Sequence, residues 1–270
     1  MITTTASDGT SVRAYDEGQG PVILFLHGGM DDGAGWMRVA ARLRSRFRVL
    51  RLHRRQYRLD LKTGEACTMA DEVQHVRALV ELIDEPMLIV GHSSGAVLAL
   101  EALEALPEAF AGAVLYEPPC VIGPPLGGEA LTRARIAVTA GKPGRALAIF
   151  LRDIVRTPPW VARMSAASIP LVPRFGRLTP HQLDDCAAID EVGVRLDAYA
   201  RIDVPAVLLG GDRSPAHLGE RLDALEHAMP HTERVRLRRQ GHAANTLAPA
   251  RVATVIAALG DKVLRQPSQH

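Results

Sequence analysis

The stretch Met87-Leu88-Ile89-Val90-Gly91-His92-Ser93-Ser94-Gly95 decides the fold of this chain. Its first four residues form an apolar run typical of a buried strand, and the stretch from Ala96 to Leu103 continues in the manner of a helix. Between them, Gly91 and Gly95 stand two residues before and two after Ser93. A strand, a one-residue turn and a helix, with small residues at those two places, are what a G-x-S-x-G nucleophile elbow requires. The pattern therefore predicts that Ser93 is a nucleophile.

Length and composition are those of an ordinary globular chain. The 270 residues, 47% hydrophobic and 23% charged, suffice for one large α/β domain, and a net charge of +2 is too small to indicate a nucleic-acid or membrane partner. Eight arginines lie between positions 42 and 58. Because lysine is rare in the whole chain, this run indicates a compositional bias, and we expect a solvated helix face and strand ends.

Three scattered cysteines have neither metal-ligand nor disulfide spacing, which favours a reducing cytoplasm. The first residues lack the basic and apolar regions of a signal peptide, and no apolar run reaches the roughly 18 residues of a membrane span. We therefore expect a cytoplasmic protein that binds a small-molecule substrate, with no metal and no organic cofactor. The oligomeric state stays open.

Strand and helix signals alternate on both sides of one interruption. Apolar runs such as Pro21–Leu26 and Ala206–Leu209 predict buried strands, and helical spacing predicts helices such as Met69–Ile83. From 121 to 200 the alternation gives way to proline-punctuated, helical sequence. The sequence predicts a mostly parallel sheet in a core domain of residues 1–120 and 201–270, with a helical cap inserted at 121–200.

A serine nucleophile needs a base, and His242 is the predicted one. It follows the last predicted strand, Arg234–Leu237, in a loop that can lean over the elbow. His92 adjoins the serine, but a neighbour in the elbow points the wrong way to act as its base. Five other histidines lie in helical or loop sequence and are expected to be solvated: His75, His181, His217, His227 and His231.

The loop His27-Gly28-Gly29-Met30 ends the first predicted parallel strand. Glycines let a backbone N–H approach a developing oxyanion without a Cβ in the way. We predict that the N–H groups of Gly29 and Ser94 form a two-donor oxyanion hole, with Met30 as the alternative to Gly29.

With these motifs in their order, the chain resembles an α/β-hydrolase-fold protein over nearly its full length. The resemblance implies an eight-stranded, mostly parallel sheet with a helical cap inserted after the sixth strand. It also implies an aspartate three residues beyond a glycine after the seventh strand, where this chain has Ser214. A second departure lies after the fourth strand, where the family's Asp-x-Arg-Gly is replaced by His53-Arg54-Arg55-Gln56.

The acid that orients His242 is accordingly open. Glu117 ends the sixth strand, beside the nucleophile strand, and some family members resemble this chain in carrying their acid there. Asp212 lies near the usual place but out of register, and a dyad without an acid is a third arrangement. We favour Glu117 and keep Asp212 as its alternative.

The resemblance and the motifs together predict a serine hydrolase that cleaves an ester of a small or medium apolar substrate through an acyl-enzyme. Trp160, Met164 and Phe175 in the cap are predicted to line the substrate pocket, or else to pack the cap's own core. Alternatives on the same serine are C–C or amide hydrolysis, a perhydrolase, and a lyase. A non-catalytic ligand-binding protein of this fold is the rival from another class.

Overall fold

One eight-stranded sheet forms the centre of the computed structural model, which describes residues 1–61 and 66–264. Its order is β1-β2-β4-β3-β5-β6-β7-β8, with β1–β2 and β2–β4 antiparallel and every other pair parallel. The strands are β1 Ile2–Thr5, β2 Ser11–Glu17, β3 Val22–Leu26, β4 Arg48–Leu52, β5 Met87–His92, β6 Phe110–Tyr116, β7 Ala206–Gly211 and β8 Thr232–Leu237. The predicted fold class, an eight-stranded and mostly parallel α/β sheet, is confirmed.

Eleven α-helices occur among the described residues. They are α1 Met37–Leu43, α2 Met69–Ile83, α3 Ser94–Ala105, α4 Gly128–Thr139, α5 Pro143–Ile149, α6 Pro159–Ser168, α7 Pro173–Val192, α8 Leu196–Tyr199, α9 Ala216–Ala228, α10 Ala244–Leu247 and α11 Pro249–Val263. A π-helical turn, Phe150–Ile154, continues α5. None of these helices is both long and apolar enough to cross a membrane.

The central strands are apolar throughout because helices cover both faces of the sheet. All five residues of β3 are buried. Leu24 packs with α2 and α3 on one face of the sheet, together with residues of other strands that point to the same face. Ile23 and Phe25 pack with α1 and α11 on the opposite face. The carboxyl ends of β3, β5, β6 and β7 therefore meet at one edge, which is where ligands bind in sheets of this kind.

Helices α4 to α8 lie between β6 and β7, and we call them the cap helices. Their region has a small apolar core of its own, which includes Ala134, Ile149, Phe150 and Leu183. These helices fall within 121–200, the segment for which the sequence predicts a cap. The last part of the predicted core domain, 265–270, lies outside the described residues.

Candidate active site

Ser93 lies at the sharp turn between β5 and α3, with φ 54° and ψ −129°. A non-glycine residue in this region of φ and ψ carries a strain of about 1–3 kcal/mol. The turn is fixed on both sides: the Ser93 N–H donates to the Tyr116 carbonyl at 2.9 Å, and a Cβ at Gly91 would lie 2.4 Å from the Ala96 Cα. A Cβ at Gly95 would lie 2.4 Å from the His27 carbonyl oxygen of the neighbouring loop. A Cβ at Gly91 would also lie 2.5 Å from the Gly95 carbonyl oxygen, so the two glycines are required by the close approach of the strand end, the helix start and that loop.

His242 and Glu117 are hydrogen-bonded, with 2.6 Å between His242 Nδ1 and Glu117 Oε2. Glu117 follows β6, is 1% exposed, and its other carboxylate oxygen accepts from the Gly211 N–H at 2.7 Å. Its φ of 48° is a second strained backbone position at this edge of the sheet. The structure therefore brings together Ser93, His242 and Glu117, since Ser93 and His242 also line one cavity.

Asp212, the alternative acid, is exposed, and within residues 1–61 and 66–264 its carboxylate accepts no hydrogen bond. Ser214, in the place of the family's usual aspartate, has a buried hydroxyl without a partner in that same part of the chain. Neither residue contacts His242 through a hydrogen bond. The contact that the sequence left open is made by Glu117.

The loop that carries His242 is held by side chains from β5 and β6. His92 Nε2 donates to the His242 carbonyl at 2.8 Å. Its ring packs against those of Tyr116 and His242, with centroid distances of 4.7 and 4.6 Å. The Tyr116 hydroxyl donates to the Gly241 carbonyl and accepts from the Ala244 N–H at 3.0 Å. Burial places the pKa of His92 well below its usual value, so His92 is a neutral support for the loop.

The glycine loop after β3 packs directly on the elbow. A Cβ at Gly28 would lie 3.1 Å from the Ser93 Cβ, so a side chain there would fit only if the elbow shifted by a few tenths of an ångström. In the described part of the chain, nothing accepts a hydrogen bond from the N–H of Gly29 or of Met30. Ser94 is buried at the first position of α3, where an N–H has no intrahelical acceptor. These N–H groups are the free donors from which an oxyanion hole can be built.

A small cavity of about 50 Å³ lies against Ser93 and His242. Apart from those two residues, its polar lining consists of Ser94, Gln182 and His217, and the remaining wall is largely apolar. The other lining residues are Pro119, Leu126, Phe150, Ile154, Val155, Cys186, Ile189 and Leu218. It is therefore a narrow site with few hydrogen-bonding groups.

The prediction that Trp160, Met164 and Phe175 line this pocket is wrong for this cavity, since none of them borders it. Trp160 and Met164 are 68% and 66% exposed because α6 turns them outward, and only Ala162 of that helix is buried. Phe175 is half-buried in the first turn of α7, whereas the residues of that helix that border the cavity, Gln182, Cys186 and Ile189, come about two or more turns later.

Sequence reasoning also missed two buried histidines and three buried arginines. His217 is not solvated but 5% exposed in the cavity wall, and burial lowers its pKa to about 4. His75 is fully buried as well, and burial lowers its pKa to about 4. Within the arginine run, Arg51, Arg54 and Arg58 are buried rather than solvated. Only the departure from the family pattern near position 54 hinted that this loop was unusual.

Residues 1–61 and 66–264 contain no group of three side chains placed to hold a metal ion. The arrangement consists instead of a serine at an elbow, a histidine bound to a buried carboxylate, and free backbone donors beside them. The histidine in such a set can activate the serine hydroxyl, and the backbone donors can stabilise an anion that forms next to it.

Comparison with known proteins gives a consistent picture. A model of the alpha/beta hydrolase family matches residues 23–255. An alpha/beta hydrolase from Sphaerobacter thermophilus is similar over 95% of this chain and 99% of its own, with 25% identity and a TM-score of 0.83. A thermophilic esterase from Thermogutta terrifontis matches over 98% and 99%, with 19% identity and a TM-score of 0.77. A meta-cleavage product hydrolase from Pseudomonas fluorescens matches over 97% and 98%, with 15% identity and a TM-score of 0.69. At such identities the last two matches establish the fold alone.

Proposed function

This chain belongs to the alpha/beta hydrolase family, and from that premise we propose that it is a serine hydrolase that cleaves a carboxylic ester through an acyl-enzyme. The observation that carries the proposal is the 2.6 Å hydrogen bond between His242 Nδ1 and the buried Glu117, in a site where Ser93 and His242 line the same cavity. An orienting acid, a base and a hydroxyl at a strained turn form the arrangement that activates serine in proteins.

The first half of the reaction forms an ester on Ser93. Its hydroxyl oxygen attacks the substrate carbonyl while Nε2 of His242 takes the proton. Glu117 keeps the other ring proton on Nδ1, which leaves Nε2 free to accept, and its charge stabilises the imidazolium that forms. As the tetrahedral intermediate collapses, His242 returns the proton to the alkoxide, and the alcohol leaves.

The developing oxyanion needs donors that are already in place, because reorganising them during the reaction would raise the barrier. The N–H groups of Gly29 and Ser94 are the proposed pair, with Met30 as the alternative to Gly29. In the second half, His242 takes a proton from the water that attacks the acyl-enzyme, and it returns this proton to the Ser93 oxygen as the acid leaves.

Size and polarity of the cavity limit the acyl group. A volume of about 50 Å³ compares with the ~10–15 Å³ that a single water needs by the same kind of measure. We therefore propose a short acyl chain of a few carbons, held by the apolar wall around Phe150 and Ile189. The esterase among the similar structures is consistent with this chemistry, although at its identity it supports the fold only.

A fluorophosphonate probe with mass mapping tests the nucleophile, and hydrolysis of acetyl, butyryl and octanoyl aryl esters tests the reaction. We expect labelling at Ser93, loss of labelling in Ser93→Ala, and faster turnover of the two short esters. A labelled Ser93 without ester turnover would point to amide, C–C, perhydrolase or lyase chemistry on the same serine. Absence of labelling and turnover in folded protein would favour a non-catalytic ligand-binding protein.

A further inference from the structure

Arg54 lies in the loop after β4 with no exposed surface, between a core helix and a cap helix. Its Nε donates to Glu72 Oε2 of α2 at 2.5 Å, and its Nη2 donates to Asp185 Oδ1 of α7 at 2.8 Å. Burial alone lowers the pKa of Arg54, but the charges of Asp185 and Glu72 outweigh it and raise the pKa above its usual value. The guanidinium is therefore a permanent charge held by one carboxylate from each side.

The remaining nitrogen of this guanidinium faces the candidate active site. Arg54 Nη1 donates to Ser94 Oγ at 2.7 Å and to the His27 carbonyl at 3.1 Å. Ser94 supplies one proposed oxyanion donor, and His27 immediately precedes the glycine loop that supplies the other. A single side chain thus binds the two segments that carry the proposed donors, at the Ser94 hydroxyl and at the His27 carbonyl.

Helix α7 contacts the same loops through a second residue. Gln182, one turn before Asp185, lies against the glycine loop, so that a Cβ at Gly29 would be 1.7 Å from Gln182 Oε1. Tyr57, in the loop that also holds Arg54, donates from its hydroxyl to Asp185 Oδ2 at 2.6 Å. Two neighbouring positions of α7 therefore contact this region: Gln182 lies against the glycine loop, and Asp185 binds Arg54.

We propose that Asp185 is a positioning residue for catalysis: through Arg54 it fixes the two oxyanion donors, so that α7 must be seated for Ser93 to react efficiently. This inference rests on the proposed function, because it concerns the reactivity of the same serine. It makes the cap helices part of the catalytic machinery in addition to a wall of the cavity.

Stability alone is a weak explanation for this cluster. Removing charges from water is costly, and buried ion pairs can often be replaced by apolar residues without loss of stability. An arginine with several donors in a rigid plane is, by contrast, well suited to hold separate acceptors in fixed positions. Two of its acceptors here, Ser94 Oγ and the His27 carbonyl, belong to the two segments whose relative position sets the geometry of the proposed oxyanion hole.

The test compares Asp185→Asn with its neighbour Asp184→Asn. Asp184 is on the same helix, but its carboxylate accepts from Arg135 within the cap helices at 2.9 Å. The two changes have the same chemistry, and only the first weakens the hold on Arg54. Measurements are kcat and KM for a short aryl ester, normalised to sites titrated by a fluorophosphonate, and the affinity of an aryl boronic acid that forms a tetrahedral adduct on serine.

Asp185→Asn is expected to lower kcat ~10- to 100-fold with KM within ~3-fold, because the lost interaction acts in the transition state. Boronic acid affinity should fall by a similar factor, whereas Asp184→Asn should match the unmodified protein in both readouts. A purely structural role would lower the melting temperature and leave kcat per titrated site unchanged, which would overturn the proposal.

A milder variant covers the case in which Asp185→Asn does not fold. Tyr57→Phe removes the hydroxyl that donates to Asp185 Oδ2 at 2.6 Å and lies 3.2 Å from Gln182 Oε1, and it removes no charge. It should lower kcat and boronic acid affinity together by ~3- to 10-fold. Unchanged values in folded Tyr57→Phe would equally overturn the proposal. Failure of the unmodified protein to label or to turn over esters would contradict the proposed function instead, so the two failures are distinct.

Discussion

Replacing Glu117 by glutamine tests the acid with almost no change of shape. The carboxylate accepts two hydrogen bonds, from His242 Nδ1 at 2.6 Å and from the Gly211 N–H at 2.7 Å. Glutamine has one oxygen and one NH₂ group. If its oxygen keeps the Gly211 bond, its NH₂ faces Nδ1, which must then accept. The ring proton moves to Nε2, the nitrogen that has to receive the proton of Ser93.

The opposite amide orientation keeps the correct tautomer but sets the NH₂ group against the Gly211 N–H. Two donors would then face each other at a position that is 1% exposed. A buried polar group left without a partner costs ~1–3 kcal/mol. The orientation with the wrong tautomer is therefore favoured, and the negative charge that stabilises the imidazolium is absent in both.

We expect Glu117→Gln to lower kcat by up to ~10⁴, which corresponds to ~5 kcal/mol of transition-state stabilisation. Single-turnover acylation by a short aryl ester measures this, with thermal unfolding as the check on folding. Asp212→Asn is the matched control and should stay within ~2-fold, because its exposed carboxylate accepts no hydrogen bond within the described residues. If Asp212→Asn is the crippled variant, or if folded Glu117→Gln keeps a tenth of the activity, Glu117 is not the acid.

Three further predictions concern the nucleophile, the cavity and the response to acid. Ser93→Ala should fold normally and lose ester hydrolysis by several orders of magnitude, ~10⁶ being the value for another serine hydrolase; retained turnover would exclude Ser93. Phe150→Ala should enlarge the cavity and shift the substrate preference toward esters with longer acyl chains. Trp160 is 68% exposed, so Trp160→Ala should leave that preference unchanged; the reverse result would place the acyl site elsewhere. Burial lowers the pKa of His75 and His217 from 6.5 to about 4. As the pH falls below ~6.5, these histidines therefore bind protons in the unfolded protein before they do so in the folded protein. Their contribution to the free energy of unfolding is fully present above pH ~6.5 and should be lost toward pH ~4, by up to ~1.4 kcal/mol per pH unit for each histidine. Urea titrations at several pH values would measure this slope, and His75→Asn should make it less steep.

The sheet and its helices were predictable because local signals and burial agree along this chain. Met69–Ile83 is a helix with the predicted bounds: Thr68 and Asp71 form a capping box at its start, and Asp84 ends it in the left-handed conformation with φ 53°. The apolar run before Ser93 is buried at every position, as expected for a strand covered on both faces.

The cap helices were predictable as helices but not as a binding surface. Apolar residues there face the cap's small core, the cavity or the solvent, and helical spacing alone does not distinguish these surroundings. Gln182, Cys186 and Ile189 border the cavity because α7 lies across the site. Trp160 lies on the outer side of α6. Such orientations depend on packing between helices that are distant in sequence.

The place of the acid follows from the geometry of adjacent strands. Parallel strands that end at one edge bring their last residues close together, so a carboxylate from β6 or from the loop after β7 can reach the same histidine. Here β7 carries no acid at the usual position, and its last residue, Gly211, instead donates a backbone hydrogen bond to Glu117. Both Glu117 and Ser93 have positive φ, at 48° and 54°, directly after neighbouring strands. Strained residues persist where the surroundings hold them in place, and they concentrate at functional sites. Positive φ also occurs at ordinary positions such as the helix end at Asp84, so the view that β6 supplies the acid rests on this strain together with the two hydrogen bonds that Glu117 accepts, one from His242 and one from Gly211 at the end of β7.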